Sequence, residues 1–264
     1  MIKIILTGAA GRMGQAVLKV LPSFTDIELI HAIDIKGHPQ VGKKIYKNIK
    51  LETELEGVIS ESDVIVDFTT VESSMTNLKT AANCGKPIII GTTGHTADDK
   101  GLIKALSKKI PIVYSPNMSV GVNGMWKLVE EAASLLGKDY QIDIVETHHV
   151  HKKDAPSGTA KKILEIVAQS GGFDLNKDVY LHSDNVKGQE KKKISVKSIR
   201  EGEVVGDHTV IFTSPYERLE ITHRAFSREV FANGALCCKM DCGQNAFTLR
   251  YERCLGNQGM IYGV

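Results

Sequence analysis

Short apolar runs and amphipathic stretches alternate along the first half of the chain. Ile2 to Thr7 is apolar and rich in β-branched residues, which predicts a strand. It halts at Gly8-Ala9-Ala10-Gly11-Arg12-Met13-Gly14, after which Met13, Val17, Val20 and Leu21 fall on one face of a helix. Glu28 to Asp34 reads as a second strand closing on an acid. Asp63 to Phe68 then predicts a buried strand of the parallel type. A helix over Ser73 to Cys84, a strand over Pro87 to Gly91, a helix over Asp98 to Lys109 and a strand over Pro111 to Ser115 follow. Strands alternating with helices predict a doubly wound parallel sheet of the α/β class.

After Asn117 the pattern changes. Val122 to Leu136 predicts a long helix, and Asp139 to Val150 a strand in which Tyr140 to Glu146 alternate cleanly. Pro156 breaks the strand, and Ser157-Gly158-Thr159 open a helix over Ala160 to Ala168. Lys187 to Lys193 is polar and basic, which predicts a surface loop. Ile194 to Arg200, Val204 to Phe212 and Arg218 to Arg224 predict strands of one mixed or antiparallel sheet. The second half is therefore an α+β domain.

The bulk properties narrow the function. A chain of 264 residues has length for one large domain or two modest ones. With 42% hydrophobic and 24% charged residues and a net charge of +2, nothing points to a nucleic-acid or membrane surface. No apolar run approaches the roughly 20 residues that span a bilayer. The start at Met1 enters a strand without the regions of a signal peptide, so a cytoplasmic enzyme is expected. Cys84 stands alone, while Cys237, Cys238, Cys242 and Cys254 crowd the end. A disulfide framework suits a short secreted chain, which this is not.

Two stretches carry candidate chemistry. The first is the glycine loop, spaced G-x-x-G-x-x-G between a strand and a helix. Glycines there let the backbone approach a pyrophosphate, and the helix N-terminus offers N–H groups and positive dipole. Asp34, about twenty residues beyond the last glycine, suits the ribose hydroxyls of NADH, while Arg12 and Lys36 suit the 2′-phosphate of NADPH. Both nucleotides stay open. Thr69-Thr70, Gly91-Thr92-Thr93-Gly94 and Ser115-Pro116-Asn117-Met118 sit at carboxyl ends of strands, where a nicotinamide ribose and carboxamide would lie; alone they also read as ordinary turns. The second stretch is Thr147-His148-His149-Val150-His151-Lys152-Lys153-Asp154-Ala155-Pro156-Ser157-Gly158-Thr159-Ala160. The N–H groups of Gly158 and Thr159 and the hydroxyls of Ser157 and Thr159 form an anion site at a helix N-terminus. His148, His149 and Lys152 add positive charge and transferable protons. A small dianionic substrate fits. A metal site is the rival, but adjacent His148 and His149 on a strand point to opposite faces, and no second carboxylate or Cys cluster accompanies them. A basic loop before a Ser-capped helix is the other alternative.

These motifs resemble those of the 4-hydroxy-tetrahydrodipicolinate reductase family. Gly8 to Gly14 is similar to its cofactor loop, as are Gly91 to Gly94 and Asn117-Met118-Ser119-Val120-Gly121-Val122-Asn123. Glu146 to Ala160 looks like the family's signature. Val205-Gly206-Asp207-His208-Thr209, Arg218-Leu219-Glu220-Ile221-Thr222-His223 and Phe231-Ala232-Asn233-Gly234-Ala235 also match. The resemblance implies that NADH or NADPH delivers hydride to a cyclic imine formed from 4-hydroxy-tetrahydrodipicolinate. It implies a nucleotide site drawn from Gly8, Ala9, Ala10, Gly11, Arg12, Met13, Asp34, Gly91, Thr92, Thr93, Ser115, Pro116, Asn117 and Met118. It places His148 at the proton donor/acceptor position, Lys152 at the proton donor position and His149, Ser157, Gly158 and Thr159 against substrate, with no metal. It further implies a Rossmann-like domain over residues 1–119, to which 229–264 returns, and a substrate and oligomerisation domain over 120–228 that builds a homotetramer. Ser195 and Lys197 stand where the family more often has a glycine and a histidine; a loop-edge effect is expected, with no change of reaction.

From Cys237 the resemblance stops. The family continues with an Ala-rich helix carrying a Trp, whereas Cys237-Cys238-Lys239-Met240-Asp241-Cys242-Gly243 has no helical apolar period, and Gly243 would weaken a helix further. A one-base frameshift near Cys237 accounts for this. Read one base later, Met240-Asp241 must encode Trp, and Met260-Ile261 must encode a stop where the family chain would end. The alternative, a zinc cluster of the four tail cysteines, matches no common spacing. A replaced tail should uncover apolar surface on the first domain and lower stability. Sequencing the source gene tests the reading: a tail encoded in one uninterrupted frame and shared by close relatives overturns it.

Overall fold

Runs of isoleucine and valine build a parallel sheet in the first unit of the chain. The computed structural model describes residues 1–181 and 193–238, together with the backbone of 260–262. β1 (Ile2–Thr7), α1 (Arg12–Val20) and β2 (Ile27–Ile33) come first, then two short strands, β3 (Lys44–Tyr46) and β4 (Ile49–Glu52). β5 (Val64–Asp67), α2 (Val71–Asn83), β6 (Ile88–Ile90), α3 (Ala97–Leu106) and β7 (Ile112–Tyr114) follow. β1 pairs in parallel with both β2 and β5, and the ladder continues in parallel through β6 to β7. On the other side β2 pairs in parallel with β4, and β3 closes the edge antiparallel to β4. The direction of winding reverses between β1 and β5, so the ligand crevice of such a sheet lies at the carboxyl ends of those strands.

The central strands are covered on both faces, which explains their unbroken hydrophobicity. Val17, Leu18 and Leu21 pack with Ile4, Leu6, Val64 and Val66 on one side, and Met75, Leu78 and Ile103 with Ile5, Ile65, Ile88 and Ile90 on the other. Capping sets where the helices begin. The Thr70 hydroxyl accepts from Ser73 N–H at the start of α2, and Thr96 with Asp99 forms a reciprocal capping box on α3.

The second unit comprises α4 (Val120–Leu136, after its first residue), β8 (Gln141–His148), α5 (Gly158–Gly171), β9 (Val179–Leu181), β10 (Ile194–Arg200), β11 (Gly206–Thr213) and β12 (Arg218–Ala225). Its sheet runs β12-β11-β8-β10-β9, antiparallel from β8 through β11 to β12 and parallel from β8 through β10 to β9. Trp126, Val129, Ile163 and Val167 of the two helices pack on Ile142, Ile144, Val196, Val210 and Phe212. Because side chains alternate with a period of two, the inner face of β8 reads Ile142, Ile144, Glu146, His148, all buried. The apolar core therefore passes directly into acid–base groups along one strand face. α5 starts at Gly158 rather than Ala160 and runs on to Gly171, where Gly172 at φ +69° ends it in the left-handed conformation. Ser195 is not at a loop edge, contrary to expectation. It is buried inside β10 between β8 and β9, and its hydroxyl donates to the Asp143 carboxylate of the paired strand.

The chain then returns to the first unit through α6 (Glu229–Cys237) and β13 (Met260–Tyr262), which pairs antiparallel with β7. The compact units are residues 1–120 with 228–264, and 121–227. A Cβ on Gly234 would lie 1.7 Å from the Met118 carbonyl oxygen, so α6 packs backbone against backbone there. Residues 187–192 of the basic stretch, Cys242, Cys254 and almost all of the segment assigned to a shifted reading frame lie outside the described residues.

Gly14 tests the packing of α1 on the glycine turn. A Cβ there would meet Gly8 O at 2.2 Å and Ala9 Cα at 2.6 Å. Gly14→Ala is expected to destabilise the first unit by about 1–3 kcal/mol through overpacking, read as a lower midpoint of urea unfolding. An unchanged midpoint would show that α1 can move away freely.

Candidate active site

The glycine turn after β1 is shaped by close backbone approach. Gly8 adopts φ +75°, and a Cβ on it would lie 2.1 Å from Phe68 O. The N–H groups of Gly8 and Ala9 both donate to Ile33 O, at 2.9 and 3.1 Å, which brings β2 and its following acid to the turn. Asp34 then accepts from Ala10 N–H at 2.8 Å through Oδ2 and from Ile35 N–H through Oδ1. Gly11 precedes α1 and offers no side-chain cap. Arg12 is exposed and Met13 half-buried on its first turn. The turn thus leaves a glycine-lined cradle beside a fixed carboxylate, which fits a dinucleotide.

The loops after β5, β6 and β7 lie at the carboxyl ends of their strands, but their hydroxyls are partly committed. Asp67, buried at the end of β5, accepts from Thr7, Thr69, Thr92 and Asn77. Thr92 Oγ1 also accepts from Thr69 N–H. A Cβ on Gly91 would lie 2.1 Å from the Phe68 ring, so the glycine admits that ring. Thr93 is exposed. Ser115 Oγ donates to Asn117 O at 2.7 Å and accepts from Asn117 N–H, which holds the Ser115-Pro116-Asn117 turn. Pro116 and Asn117 are half-buried, whereas Met118 belongs to the core.

The second unit brings its candidate residues together at the end of β8. Glu146 has no exposed surface. Its Oε1 accepts from Ser157 N–H at 3.0 Å and from the Arg200 guanidinium at 3.1 Å. Its Oε2 lies 2.7 Å from His148 Nδ1, off the line of a straight hydrogen bond. Burial alone would raise the Glu146 pKa. The close His148 ring and hydrogen bonds from Ser198 and Ser157 overcome it and hold the carboxyl far below the ordinary carboxylate range. Ser157 caps α5, its hydroxyl accepting from Ala160 N–H at 3.1 Å and sharing a hydrogen bond of 3.1 Å with His208 Nε2. His208, opposite Glu146 on β11, stands edge-on to His148 with centroids 5.1 Å apart. Burial first, then the charge of His148, pushes its pKa down to about 3.

The surrounding loop completes the arrangement. His149 N–H donates to Val204 O at 2.7 Å, and Lys152 N–H donates to His149 O at 3.1 Å. The Lys152 ammonium pairs with Asp154 at 2.8 Å, and the Ala155–Pro156 bond is cis. Gly158 is exposed and Thr159 buried on the first turn of α5. Glu146, Arg200 and His208 carry no assigned role in the sequence reading. Glu146 was detectable, because it shares the parity of Ile142 and Ile144. Arg200 and His208 reach the site only through strand pairing across the sheet. Among the described residues, possible ligand atoms of Glu146, His148 and His208 lie within 4.8 Å of one another. Oε1 of Glu146 is already engaged by Ser157 and Arg200.

A parallel sheet with a glycine-lined turn and a buried acid–base cluster on a second, mixed sheet define an NAD(P)H-dependent oxidoreductase. The family described as "Dihydrodipicolinate reductase, N-terminus" matches residues 2–118, and "Dihydrodipicolinate reductase, C-terminus" matches residues 121–251. The chain belongs to the dihydrodipicolinate reductase family, whose first domain binds NADH or NADPH and whose reaction serves lysine and diaminopimelate biosynthesis. It is 41% identical over 244 residues to 4-hydroxy-tetrahydrodipicolinate reductase of Syntrophus aciditrophicus (strain SB), covering 89% of this chain and 91% of that one. The enzyme of the same description from Desulfotalea psychrophila (strain LSv54 / DSM 12343) is 42% identical over 243 residues, with 89% and 90% covered. Dipicolinate-bound dihydrodipicolinate reductase from Paenisporosarcina sp. TG-14 shares the fold, with a TM-score of 0.72 at 24% identity and coverage of 89% and 92%. Amine dehydrogenase from Mycobacterium smegmatis shares it more distantly, with a TM-score of 0.60, 8% identity and coverage of 89% and 90%. No helix of the described residues is long and apolar enough to cross a membrane.

The depressed pKa of His208 sets a pH dependence. The unfolded chain takes up a proton near the ordinary value of 6.5, whereas the folded chain resists it down to about 3. Between those values the unfolded state binds more protons, so stability falls as pH drops through that window. Urea-unfolding midpoints should decline from pH 7 to pH 4, and His208→Gln should flatten the decline. An equally steep decline in the variant would remove His208 as its source.

Proposed function

We propose that this chain reduces 4-hydroxy-tetrahydrodipicolinate, by way of the cyclic imine formed on loss of water, to tetrahydrodipicolinate. The observation that carries the assignment of roles is the buried Glu146 carboxylate against His148, beside Lys152 and the N-terminus of α5. Glu146 faces Nδ1 of His148, so Nε2 is the atom left to exchange a proton with substrate. Gly206 keeps that side open, because a Cβ there would lie 3.1 Å from Nε2. Lys152, paired with Asp154, is the second proton donor. The N–H groups of Gly158 and Thr159, with the Ser157 and Thr159 hydroxyls, hold one substrate carboxylate at the positive end of α5, and His149 meets substrate beside them.

Bound NADH or NADPH supplies the hydride. Gly8, Ala9, Ala10, Gly11, Arg12 and Met13 cradle its pyrophosphate, and Asp34 receives the adenosine ribose hydroxyls. Gly91, Thr92, Thr93, Ser115, Pro116 and Asn117 line the nicotinamide end, mainly through backbone where their hydroxyls are committed, and Met118 supports that loop from the core. Lys36 is paired with Glu54 at 2.7 Å, which favours ribose recognition through Asp34, while exposed Arg12 serves a 2′-phosphate. Family membership supports a cytoplasmic homotetramer assembled through the second unit, and the exposed Tyr216, Leu219 and Phe226 on and beside β12 suit such an interface.

His148→Ala and Lys152→Ala should each lower kcat by about 10²–10⁴-fold while leaving nucleotide binding intact. The assay follows NADH and NADPH oxidation with substrate generated freshly by the preceding synthase. Full turnover in both variants would overturn the assignment of these two roles.

A further inference from the structure

The His148 imidazole and the Lys152 ammonium come from different segments, and one side chain outside both binds the two segments together. Arg200, at the end of β10, is paired with His148 in the parallel ladder. Its Nε donates to Lys152 O at 3.3 Å, one Nη donates to Ile199 O at 2.7 Å, and the other donates to both Glu146 Oε1 and Asp154 O. The fork therefore grips the carbonyls on either side of Lys153 and the same carboxylate that faces His148. Its side chain is only 20% exposed and that of Glu146 not at all, so the charges interact with little screening from water. No lysine could meet these acceptors at once, because its ammonium is a point charge without a planar fork.

We propose that Arg200 is a positioning residue for the reduction, which clamps the 152–154 loop and the Glu146 carboxylate in one geometry and divides the carboxylate's charge between itself and His148. This rests on the roles given to His148 and Lys152 above. The clamp has a consequence for protonation. Arg200 takes Oε1 of Glu146 while His148 faces Oε2, so removing the charge of Glu146 or that of Arg200 changes the field at His148 with opposite sign. The other groups facing this cluster are His208 on β11, with His223 beyond it on β12, and Lys152 and Asp154 in the loop. Of these, His208 stays uncharged at neutral pH, so Arg200 and Glu146 dominate the balance.

The two partners should then act on the pH profile in opposite directions. Arg200→Met should move the limb of the kcat/KM profile that depends on His148 toward alkaline pH by about one unit, and Glu146→Gln should move it toward acid pH. Arg200→Lys keeps the charge but loses the fork. It should hold the limb near its original position while lowering kcat/KM by at least about tenfold through misplacement of Lys152, with the loss appearing mainly in KM for substrate. NADH affinity of each variant, measured by fluorescence, reports whether the first unit is intact. Limbs that shift together, or a Lys variant with native kcat/KM, overturn the proposal. Should Arg200→Met prove insoluble, the Lys variant alone decides through its KM. His148→Ala and Lys152→Ala run alongside separate the two readings: full activity there removes the assigned roles, whereas loss there with native behaviour at Arg200 removes only the clamp.

Discussion

A carboxylate cut off from water is tolerated only when protein groups replace its hydration, and Glu146 organises the second unit around that requirement. Its two oxygens take up the Ser157 amide, the Arg200 guanidinium and the His148 ring. Each partner begins or ends an element. Ser157 opens α5, His148 closes β8, and Arg200 closes β10. One buried carboxyl group thus fixes a helix N-terminus, an imidazole ring and the end of β10 relative to one another. His208 supports the same point from β11, joined to the Ser157 hydroxyl and kept neutral by burial.

The first unit solves its own problem differently. Its strands are covered on both faces, and glycine at positions 8 and 14 lets backbone segments approach within distances that no side chain would permit. The glycine turn is therefore a product of steric absence, whereas the Glu146 cluster is a product of electrostatic crowding. The two demands fall in separate compact units of the chain, so the residues that satisfy one do not compromise the other.

Much of this was legible from pattern. Unbroken runs such as Ile88-Ile89-Ile90 announce a buried parallel strand, and Ser157 before a helical period announces a cap. β3, β4 and β9 were not legible, because three or four residues are too few to express a period of two. Arg200 was not legible as part of the site either, since its place beside Lys152 and Glu146 depends on a parallel pairing between segments separated by an intervening helix and strand. Thr92 and Ser115 illustrate a further limit. Composition marks them as hydroxyls at strand ends, but only the hydrogen bonds show that both are turned inward. Met118, read from the same loop as a cofactor contact, has its side chain in the core because α6 closes over that segment.

The Asp67 network constrains how protons can travel. The hydroxyls of Thr7, Thr69 and Thr92 all donate to the Asp67 carboxyl oxygens. Thr92 additionally accepts from the Thr69 amide and has Thr69 O, at 3.4 Å, as a second and longer acceptor. A chain of hydroxyls passes a proton along when each donates to the next, whereas these three all donate to one carboxyl group. The floor of the first unit is thereby a point where dipoles converge rather than a wire: three hydroxyls and the Asn77 amide all end on one carboxyl group.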